Sequence, residues 1–251
     1  MIEFRDLTVR YEGSETDAVK RASFTLADGT FTGLIGESGS GKSTIVASAL
    51  RILPRGTSVS GNIVLDGNDI LTLGDEELRA VRWTKEALVP QGAMNSFTPV
   101  LTIGHHITET ILAHLPDAGA DMDEKVDGLL NEVGLDASVK NKYPHELSGG
   151  QKQRAAIALA LSCSPSLLFA DEPTTALDVV TQAGVLKLLA KLQADKSLTV
   201  LLVTHDLPLA ASVCGRLIVM KDGVIVESGT PREIITNPKH EHTKALVRAM
   251  F

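Results

Sequence analysis

Hydrophobic and polar positions alternate near the start of the chain, and this pattern predicts β-strands. The alternation covers residues 2–11 and 19–27, which a polar turn separates, and two such runs are typical of antiparallel strands. Short apolar runs at residues 31–35 and 59–65 predict two more strands, with a helix at residues 43–53 between them. The first part of the chain is therefore expected to contain an antiparallel sheet.

A helical period replaces this alternation in the middle of the chain, and alternation of strands with helices follows. The predicted helices of the middle part cover residues 104–115, 123–133 and 148–162. The predicted elements after them are strands at residues 167–170, 198–204 and 217–220, with helices at 180–194 and 207–213. This β-α-β-α-β order predicts a parallel sheet.

Together these patterns predict a single α/β domain of 251 residues. We expect an α/β core with an antiparallel part in residues 1–91 and 164–251. Residues 92–163 are expected to form a helical subdomain inserted into that core.

The charge balance and the hydropathy exclude two classes of protein. Asp and Glu total 31 against 24 Lys and Arg, so the net charge is −7 and a broad nucleic-acid-binding face is not expected. The longest apolar run, residues 155–161, is far shorter than the about 20 residues of a membrane-spanning helix. No signal-peptide pattern precedes the first strand. We therefore expect a cytoplasmic protein without a transmembrane segment.

Cysteines and histidines give little indication of a metal centre. Cys163 and Cys214 stand apart in apolar surroundings, as core residues do, and cannot build a disulfide framework or a zinc cluster. We expect five histidines to occupy ordinary positions at helix ends and on the surface, and a metal site is the alternative. These five are His105, His106, His114, His240 and His242.

A glycine-rich segment fits the phosphate-binding pattern G-x-x-x-x-G-K-[ST]. Its residues are Gly36, Glu37, Ser38, Gly39, Ser40, Gly41, Lys42, Ser43 and Thr44. It follows a predicted strand and precedes a predicted helix, and its glycines let backbone N–H groups approach a phosphate closely. Lys42 is expected to reach the β- and γ-phosphates of a nucleotide, and Ser43 to bind Mg²⁺. A glycine-rich turn that happens to contain a lysine is the alternative.

Two adjacent carboxylates end the apolar strand predicted at residues 167–170. A phosphate loop needs an acidic partner for its metal ion, and Asp171 is expected to hold Mg²⁺ through water. Glu172 is expected to act as the general base that activates the attacking water. The alternative is that the two carboxylates only cap the next helix.

A second anion site is predicted at the start of the helix at residues 148–162. Ser148 and Gln151 have the spacing of a capping box. Gly149 and Gly150 in the first turn each cost helix stability by about 1 kcal/mol, which indicates that bare backbone is needed there. Such a helix start, with exposed N–H groups, attracts an anion.

These motifs, in this order, resemble those of the ATP-binding cassette (ABC) ATPases over essentially the whole chain. Leu147–Gln151 matches the signature motif of that family. Four other positions also match its motifs, namely Tyr11, Gln91, Asp178 and His205. The resemblance implies ATP as substrate and a P-loop NTPase (RecA-like) core, with an N-terminal antiparallel β subdomain and an inserted α-helical subdomain.

The resemblance also implies a role for each matching residue. Tyr11 would stack on adenine, and Gln91 would serve catalysis and the Mg²⁺ ion. His205 would contact the γ-phosphate and orient the water, and Asp178 would shape the opposing site of a head-to-tail dimer. The signature residues Ser148, Gly149, Gly150 and Gln151 would act on the ATP of a partner chain. Taken alone, Tyr11 could be a strand aromatic, Gln91 a polar loop residue and His205 a helix cap.

Three stretches narrow the resemblance to the peptide/nickel importer branch of the family. They are residues 89–104, 171–182 and 237–246. Gly92 and Ala93 depart from the branch, where an acidic residue and a proline follow the glutamine. No cysteine follows Cys214, so the iron–sulfur cluster of some longer members is not expected.

This branch implies a subunit that powers the import of a dipeptide, an oligopeptide or nickel. The implied partners are two integral-membrane permease subunits, a second ATPase subunit that is more often different than identical, and indirectly an extracytoplasmic solute-binding protein. The chain would sit peripherally on the cytoplasmic face of the inner membrane.

An apolar, proline-stiffened segment, residues 97–103, would grip a permease helix, or would pack inside the helical subdomain instead. The alternatives are an ABC exporter subunit, a soluble ABC ATPase of DNA repair or translation, and a P-loop kinase or GTPase.

Overall fold

A computed structural model describes residues 1–93, 96–118 and 121–250 of the chain. They form two compact units, each described here by itself. The first unit contains Met1–Leu78 together with the residues from Thr199 onward, and the second contains Arg79–Leu198. The predicted helical subdomain, residues 92–163, falls within the second unit.

An antiparallel sheet opens the first unit, as the alternating pattern predicts. Its strands are β1 (Ile2–Arg10), β2 (Val19–Leu26), β4 (Ser58–Leu65) and β5 (Asn68–Asp69), in the order β2-β1-β4-β5. Apolar side chains of β1 alternate inward, and the rings of Phe4 and Phe24 stack across the β1–β2 pair with centroids 4.3 Å apart. Cross-strand aromatic pairs of this kind stabilise a sheet.

A second set of strands in the first unit surrounds β3 (Phe31–Ile35). β3 pairs in parallel with β8 (Thr199–Thr204) on one side and with β9 (Arg216–Lys221) on the other. β10 (Val224–Gly229) then pairs antiparallel with β9. All five residues of β3 are buried, because both of its edges are occupied by partner strands and its faces are covered.

The first unit also contains short helices. They are α1 (Lys42–Ala49), α7 (Leu207–Val213), α8 (Pro231–Thr236) and α9 (Glu241–Arg248), while α2 (Asp75–Val81) crosses the boundary between the units. α1 ends earlier than predicted, because Leu50 caps it and Arg51 takes a left-handed backbone conformation with φ of 50°. α8 begins with Thr230 as its cap, in a capping box with Glu233.

The second unit combines a pair of parallel strands with long helices. β6 (Glu86–Val89) pairs in parallel with β7 (Leu167–Asp171). The helices are α3 (Ile103–His114), α4 (Met122–Glu132), α5 (Gly149–Ala160) and α6 (Val179–Lys196). The predicted positions of these four helices are confirmed, whereas β6, α2 and α9 were not predicted from the pattern.

Two further expectations concern the core and the membrane. Cys163 and Cys214 are both buried and unpaired, as expected of core residues. Within the described part of the chain, none of the helices combines the length and the apolar character that crossing a bilayer requires.

Candidate nucleotide-binding site

The glycine-rich segment forms the loop between β3 and α1, and two of its glycines are required by its shape. Gly41 has φ of 99°, and a Cβ atom there would lie 2.3 Å from the backbone oxygen of Ala18. A Cβ atom at Gly36 would lie 2.3 Å from the backbone oxygen of Met220. No side chain fits at such distances, so the loop keeps the bare backbone that close approach of a phosphate needs.

Lys42 lies within this loop and is only 5% exposed. Its ammonium group donates hydrogen bonds to the backbone oxygens of Gly36 and Glu37, both at 2.8 Å, and to Ser40 Oγ at 3.4 Å. These bonds hold the charge against the loop backbone. A buried ammonium in this position is suited to attract the phosphates of a nucleotide.

Tyr11 lies just beyond the end of β1 and is tied to the phosphate loop. Its hydroxyl group is hydrogen-bonded to Thr44 Oγ1 at 2.9 Å. The neighbouring Ser43 is exposed at the start of α1. Tyr11, the loop and Thr44 are therefore brought together within the first unit, and the stacking of Tyr11 on adenine stays a prediction.

Glu172 and Gln91 are brought together in the second unit. Gln91 Nε2 donates a hydrogen bond to Glu172 Oε2 at 3.2 Å, and the Thr175 hydroxyl donates to the same oxygen at 2.9 Å. Glu172 also takes a left-handed backbone conformation with φ of 45°. Backbone strain of this kind, about 1–3 kcal/mol, is concentrated at functional sites. Asp171, the last residue of β7, is 8% exposed.

The alternative role of the two carboxylates as helix caps is wrong, because another residue caps the next helix. Asp178 accepts hydrogen bonds from the backbone N–H groups of Val180 and Thr181, at 3.1 and 3.0 Å, and from Thr181 Oγ1 at 2.6 Å. The hydroxyl of Thr181 and then the backbone N–H groups lower the pKa of Asp178 below its ordinary value. Asp178 is therefore held ionised at the start of α6.

The signature residues form the predicted capping box at the start of α5. Ser148 Oγ accepts from the Gln151 N–H at 3.3 Å, and the Gln151 side chain accepts from the Ser148 N–H at 3.0 Å. As an acceptor in this bond, the Ser148 hydroxyl keeps its own proton to donate to an anion. The glycine at 150 has a packing reason as well, since a Cβ atom there would lie 2.7 Å from Thr181 Cγ2.

A cavity of about 620 Å³ adjoins this helix start. It lies entirely within the second unit, between the start of α5, the start of α6 and the segment after α4. Lining residues include Ser148, Gly150, Gln151, Arg154 and Thr181. Helix N–H groups and an arginine thus face open space at the predicted second anion site.

His205 follows β8 and is exposed in the first unit. The cap of α7 is the next residue, Asp206, whose carboxylate accepts from the Leu209 N–H at 2.9 Å. The alternative of His205 as the cap of this helix is therefore wrong. As for the five other histidines, no cluster of three or more potential metal ligands occurs among the residues that the structure describes.

The residues predicted for Mg²⁺ fit that ion by the chemistry of their donors. A hydroxyl, an amide oxygen and a carboxylate, from Ser43, Gln91 and Asp171, are the hard oxygen ligands that Mg²⁺ prefers. Gln91 donates through Nε2 to Glu172, which leaves its amide oxygen as an acceptor. The sequence did not indicate Thr175, although its position three residues after Glu172, in a turn, is a signal that could have identified it.

Comparisons with known proteins show the family of this chain. The sequence model described as "ABC transporter" matches residues 19–175. The probable peptide ABC transporter ATP-binding protein y4tR of Sinorhizobium fredii is 40% identical, over all of this chain and 76% of that protein. The oligopeptide transport ATP-binding protein OppD of Bacillus subtilis is 37% identical, over all of this chain and 72% of that protein.

A solved structure agrees with these sequence matches. The dimeric post-hydrolysis state of the ATP-binding cassette MJ0796, bound to ADP and Pi, superimposes with a TM-score of 0.81. It is 31% identical and covers 92% of this chain and 99% of that one. The chain therefore belongs to the ABC transporter family, and it has the predicted α/β fold with a P-loop NTPase core. It binds and hydrolyses ATP.

Proposed function

We propose that this chain is the ATP-hydrolysing subunit of an importer whose cargo is a small peptide. The observation that carries the proposal is the constrained Glu172–Gln91 pair in a chain that matches peptide-transport ATP-binding proteins over its whole length. Peptide is preferred to nickel as the cargo, because the two relatives described above have names that refer to peptide transport.

Each residue of the site has a proposed task. Lys42 and the loop N–H groups bind the β- and γ-phosphates, and Tyr11 stacks on the adenine. Mg²⁺, held by Ser43, Gln91 and Asp171, would neutralise phosphate charge. Glu172 accepts the proton of the attacking water, and its two donors fix the carboxylate in one orientation. His205 orients the water and contacts the γ-phosphate.

A second ATPase subunit completes the proposed site. The exposed N–H groups of α5 and the free proton of the Ser148 hydroxyl make an anion-binding helix start. In the proposed assembly, Ser148, Gly149, Gly150 and Gln151 bind the γ-phosphate of the partner subunit's ATP, while Asp178 shapes that opposing site. We favour a partner of different sequence over an identical one.

A loop in the second unit is the proposed contact with the permease subunits. Phe97 and Ile103 are buried and hold the loop in place, and Phe97 packs edge-on against His106 with centroids 5.2 Å apart. His106 Nε2 accepts from the Thr98 N–H at 2.9 Å. Val100 is 75% exposed. Of the apolar residues predicted to grip a permease helix, Pro99 and Val100 are therefore the exposed ones.

The proposed assembly has two integral-membrane permeases, two ATPase subunits and an extracytoplasmic solute-binding protein. This places the chain peripherally on the cytoplasmic face of the inner membrane. Val100 and Leu112 supply a matched pair for testing it, since both are exposed apolar residues of the same unit.

The test is affinity purification of the tagged chain from detergent-solubilised membranes, with Val100→Glu and Leu112→Glu variants alongside. We expect two multi-span proteins and a second ATPase to be recovered with the wild type and with Leu112→Glu, but not with Val100→Glu. Recovery of soluble partners alone would favour a soluble ABC ATPase and overturn the proposal.

Cargo and direction are tested with the purified assembly in lipid vesicles. ATP is placed on the side of the ATPase subunits, and labelled dipeptides, oligopeptides and ⁶³Ni²⁺ are offered on the other side. We expect uptake of a peptide towards the ATP side. Movement away from that side would identify an exporter, and uptake of nickel alone would contradict the peptide assignment.

A further inference from the structure

The C-terminal helix α9 carries a buried histidine that faces the phosphate loop. His242 is 6% exposed, and its Nδ1 atom lies 3.8 Å from Glu37 Oε1. Glu37 is the residue of the loop that follows Gly36, and its carboxylate is otherwise exposed to solvent. One side chain of the loop is thus in contact with a helix that begins more than two hundred residues later in the sequence.

Glu37 also takes part in holding the lysine of the loop. Its backbone oxygen accepts a hydrogen bond from Lys42 Nζ at 2.8 Å and another from the Ser40 N–H at 3.2 Å. A shift of Glu37 therefore moves an oxygen that positions the ammonium of Lys42. The Glu37 side chain links α9 to the group that is proposed to bind the β- and γ-phosphates.

The start of α9 is itself firmly anchored. The Glu227 carboxylate of β10 accepts from the backbone N–H groups of Lys239 and His240, at 2.9 and 3.0 Å. His240 caps the helix, because its Nδ1 atom accepts from the His242 N–H at 3.2 Å. A fixed helix start gives the His242 ring a defined position relative to the loop.

Burial of the polar His242 ring costs folding free energy, which indicates that the contact made by the ring is functional. Among the residues that the structure describes, Nε2 of His242 has no hydrogen-bond partner. A polar atom buried without a partner is destabilising. The polar contact of the ring is therefore the one between Nδ1 and Glu37, at a distance where the attraction is electrostatic rather than a hydrogen bond.

From this arrangement we infer that His242 is a positioning residue for ATP binding, which acts through Glu37 on the phosphate loop. It holds the Glu37 side chain, and thereby the backbone oxygen that orients Lys42. The inference rests on the proposed role of Lys42 in binding the phosphates. It concerns the affinity for ATP and not the chemical step, because His242 contacts the side chain of Glu37, whose backbone oxygen holds Lys42.

Substitutions at His242 distinguish this role from simple packing. An asparagine amide can place a donor near the position of Nδ1, whereas a glutamine amide reaches the position of Nε2. We expect His242→Asn to bind ATP as the wild type does, and His242→Gln to bind it about three- to fivefold more weakly, the range expected for the loss of one partly exposed polar contact. A residue that only fills space would not separate these two variants in this way.

The measurement is a calorimetric titration of the full chain with ATP, alongside thermal melts. Glu37→Ala should weaken binding as much as His242→Gln does, and the double variant should lose no more than either single one. Lys244→Ala is the matched control, since Lys244 lies on α9 and pairs with Glu241 at the surface. We expect this control to bind ATP normally.

Two outcomes separate the inference from the function on which it rests. If Lys42→Ala abolishes ATP binding while His242→Gln and Glu37→Ala bind as the wild type does, the positioning role is overturned and the nucleotide site stands. If Lys42→Ala binds ATP normally, the proposed nucleotide site itself fails. Should His242→Gln melt early, the exposed Glu37→Ala variant still decides the question, because its side chain contributes nothing to the core.

Discussion

Gln91 and Thr175 both donate hydrogen bonds to one oxygen of Glu172, from residues on either side of it in the sequence. The carboxylate is therefore held by two donors at 3.2 and 2.9 Å, on a residue whose own backbone is left-handed. Such preorganisation suits a general base, which must have its oxygen in place before the water attacks.

Replacement of Glu172 should separate ATP binding from hydrolysis. The Glu172→Gln substitution keeps the size and planar shape of the side chain, but it removes the carboxylate that accepts the proton. We expect the rate of ATP hydrolysis to fall by about 10²–10⁴-fold, the usual contribution of a general base, with ATP affinity retained. The measurement is phosphate release by the assembled transporter, with an ATP titration as control, and an unchanged rate would remove Glu172 from this role.

Replacement of Thr175 tests the orienting bond on its own. Thr175→Val keeps the shape and removes the hydroxyl donor, while Thr175→Ser keeps the donor. We expect kcat to fall by about tenfold in Thr175→Val, which corresponds to one hydrogen bond to a charged group, and to be restored in Thr175→Ser. Equal rates in the two variants would mean that Thr175 does not position Glu172.

The backbone of the phosphate loop should not tolerate a side chain at Gly41. In Gly41→Ala the new Cβ atom meets the backbone oxygen of Ala18 at 2.3 Å, in addition to the cost of φ at 99°. We expect the free energy of unfolding to fall by more than about 2 kcal/mol and ATP binding to be lost. Gly67→Ala is the control, since Gly67 also has a positive φ but has no atom within 4 Å of the new Cβ.

That control variant should lose only about 1 kcal/mol, from the backbone conformation alone, and should bind ATP. Urea unfolding and ATP titration measure both quantities. If the two variants lose equal stability, the close approach of the loop to Ala18 is not what requires glycine at position 41.

The two roles of Ser148 can be separated by a pair of substitutions. Ser148→Ala removes the helix cap and should lower the free energy of unfolding by about 1 kcal/mol. Ser148→Asp keeps a good cap but places a negative charge where the partner subunit's γ-phosphate is proposed to bind. We expect Ser148→Asp to melt like the wild type and yet to fail in ATP-driven dimer formation with the second ATPase subunit, as measured by gel filtration of the two subunits together in the Glu172→Gln background.

Dimer formation by Ser148→Asp at the wild-type ATP concentration would contradict the proposed phosphate contact. A Ser148→Thr variant, which keeps both the cap and the hydroxyl proton, should form the dimer normally.

Glu86 should make the stability of the protein depend on pH. It is 1% exposed at the start of β6, and neither of its carboxylate oxygens has a hydrogen-bond partner among the described residues. Burial raises its pKa to about 8, against the opposing effect of Arg82. The folded state then holds a proton that the unfolded state releases above its ordinary pKa of 4.5, so stability falls as the pH rises from about 4.5 to about 8.

The substitution Glu86→Gln should remove this dependence. Each unit of pKa corresponds to 1.36 kcal/mol, so the variant should gain up to about 5 kcal/mol over the wild type between pH 4.5 and pH 8.5. Urea unfolding at a series of pH values measures the difference. If the free energies of unfolding of the two proteins change with pH in the same way, Glu86 is ionised in the folded state.

The sequence predicted those parts of the fold in which the pattern is local. Apolar and polar residues alternate along most of β1 and β2, and α5 begins with its capping box, so both types of element were found. β6 was missed because it begins with the buried Glu86 and ends beside Pro90, which leaves only three apolar residues. α9 was missed because His242 and Thr243 are polar residues that are buried, so its inward face does not show as an apolar stripe.

The residues of the candidate site also fall into those with a local sequence pattern and those without one. The phosphate loop is continuous in the sequence, so its place between β3 and α1 followed from spacing alone. The contact between Glu37 and His242 joins distant parts of the chain, and the bond from Thr175 to Glu172 depends on a turn after β7. The first contact leaves no motif in the sequence, and the second is indicated only by the three-residue spacing between Glu172 and Thr175. The catalytic roles of the predicted residues remain proposals that the variants above test.

The position of β3 between β8 and β9 has a consequence for how the protein is made. During translation Phe31–Ile35 leaves the ribosome long before either neighbour, Thr199–Thr204 or Arg216–Lys221. At about 5–20 residues per second, the apolar strand and the loop that follows it wait roughly 10–40 s for their partners. We therefore expect that a nascent chain cannot bind ATP before Arg216–Lys221 has been synthesised. An arrested fragment that stops before residue 199 would expose both edges of β3 to aggregation or to capture by a chaperone.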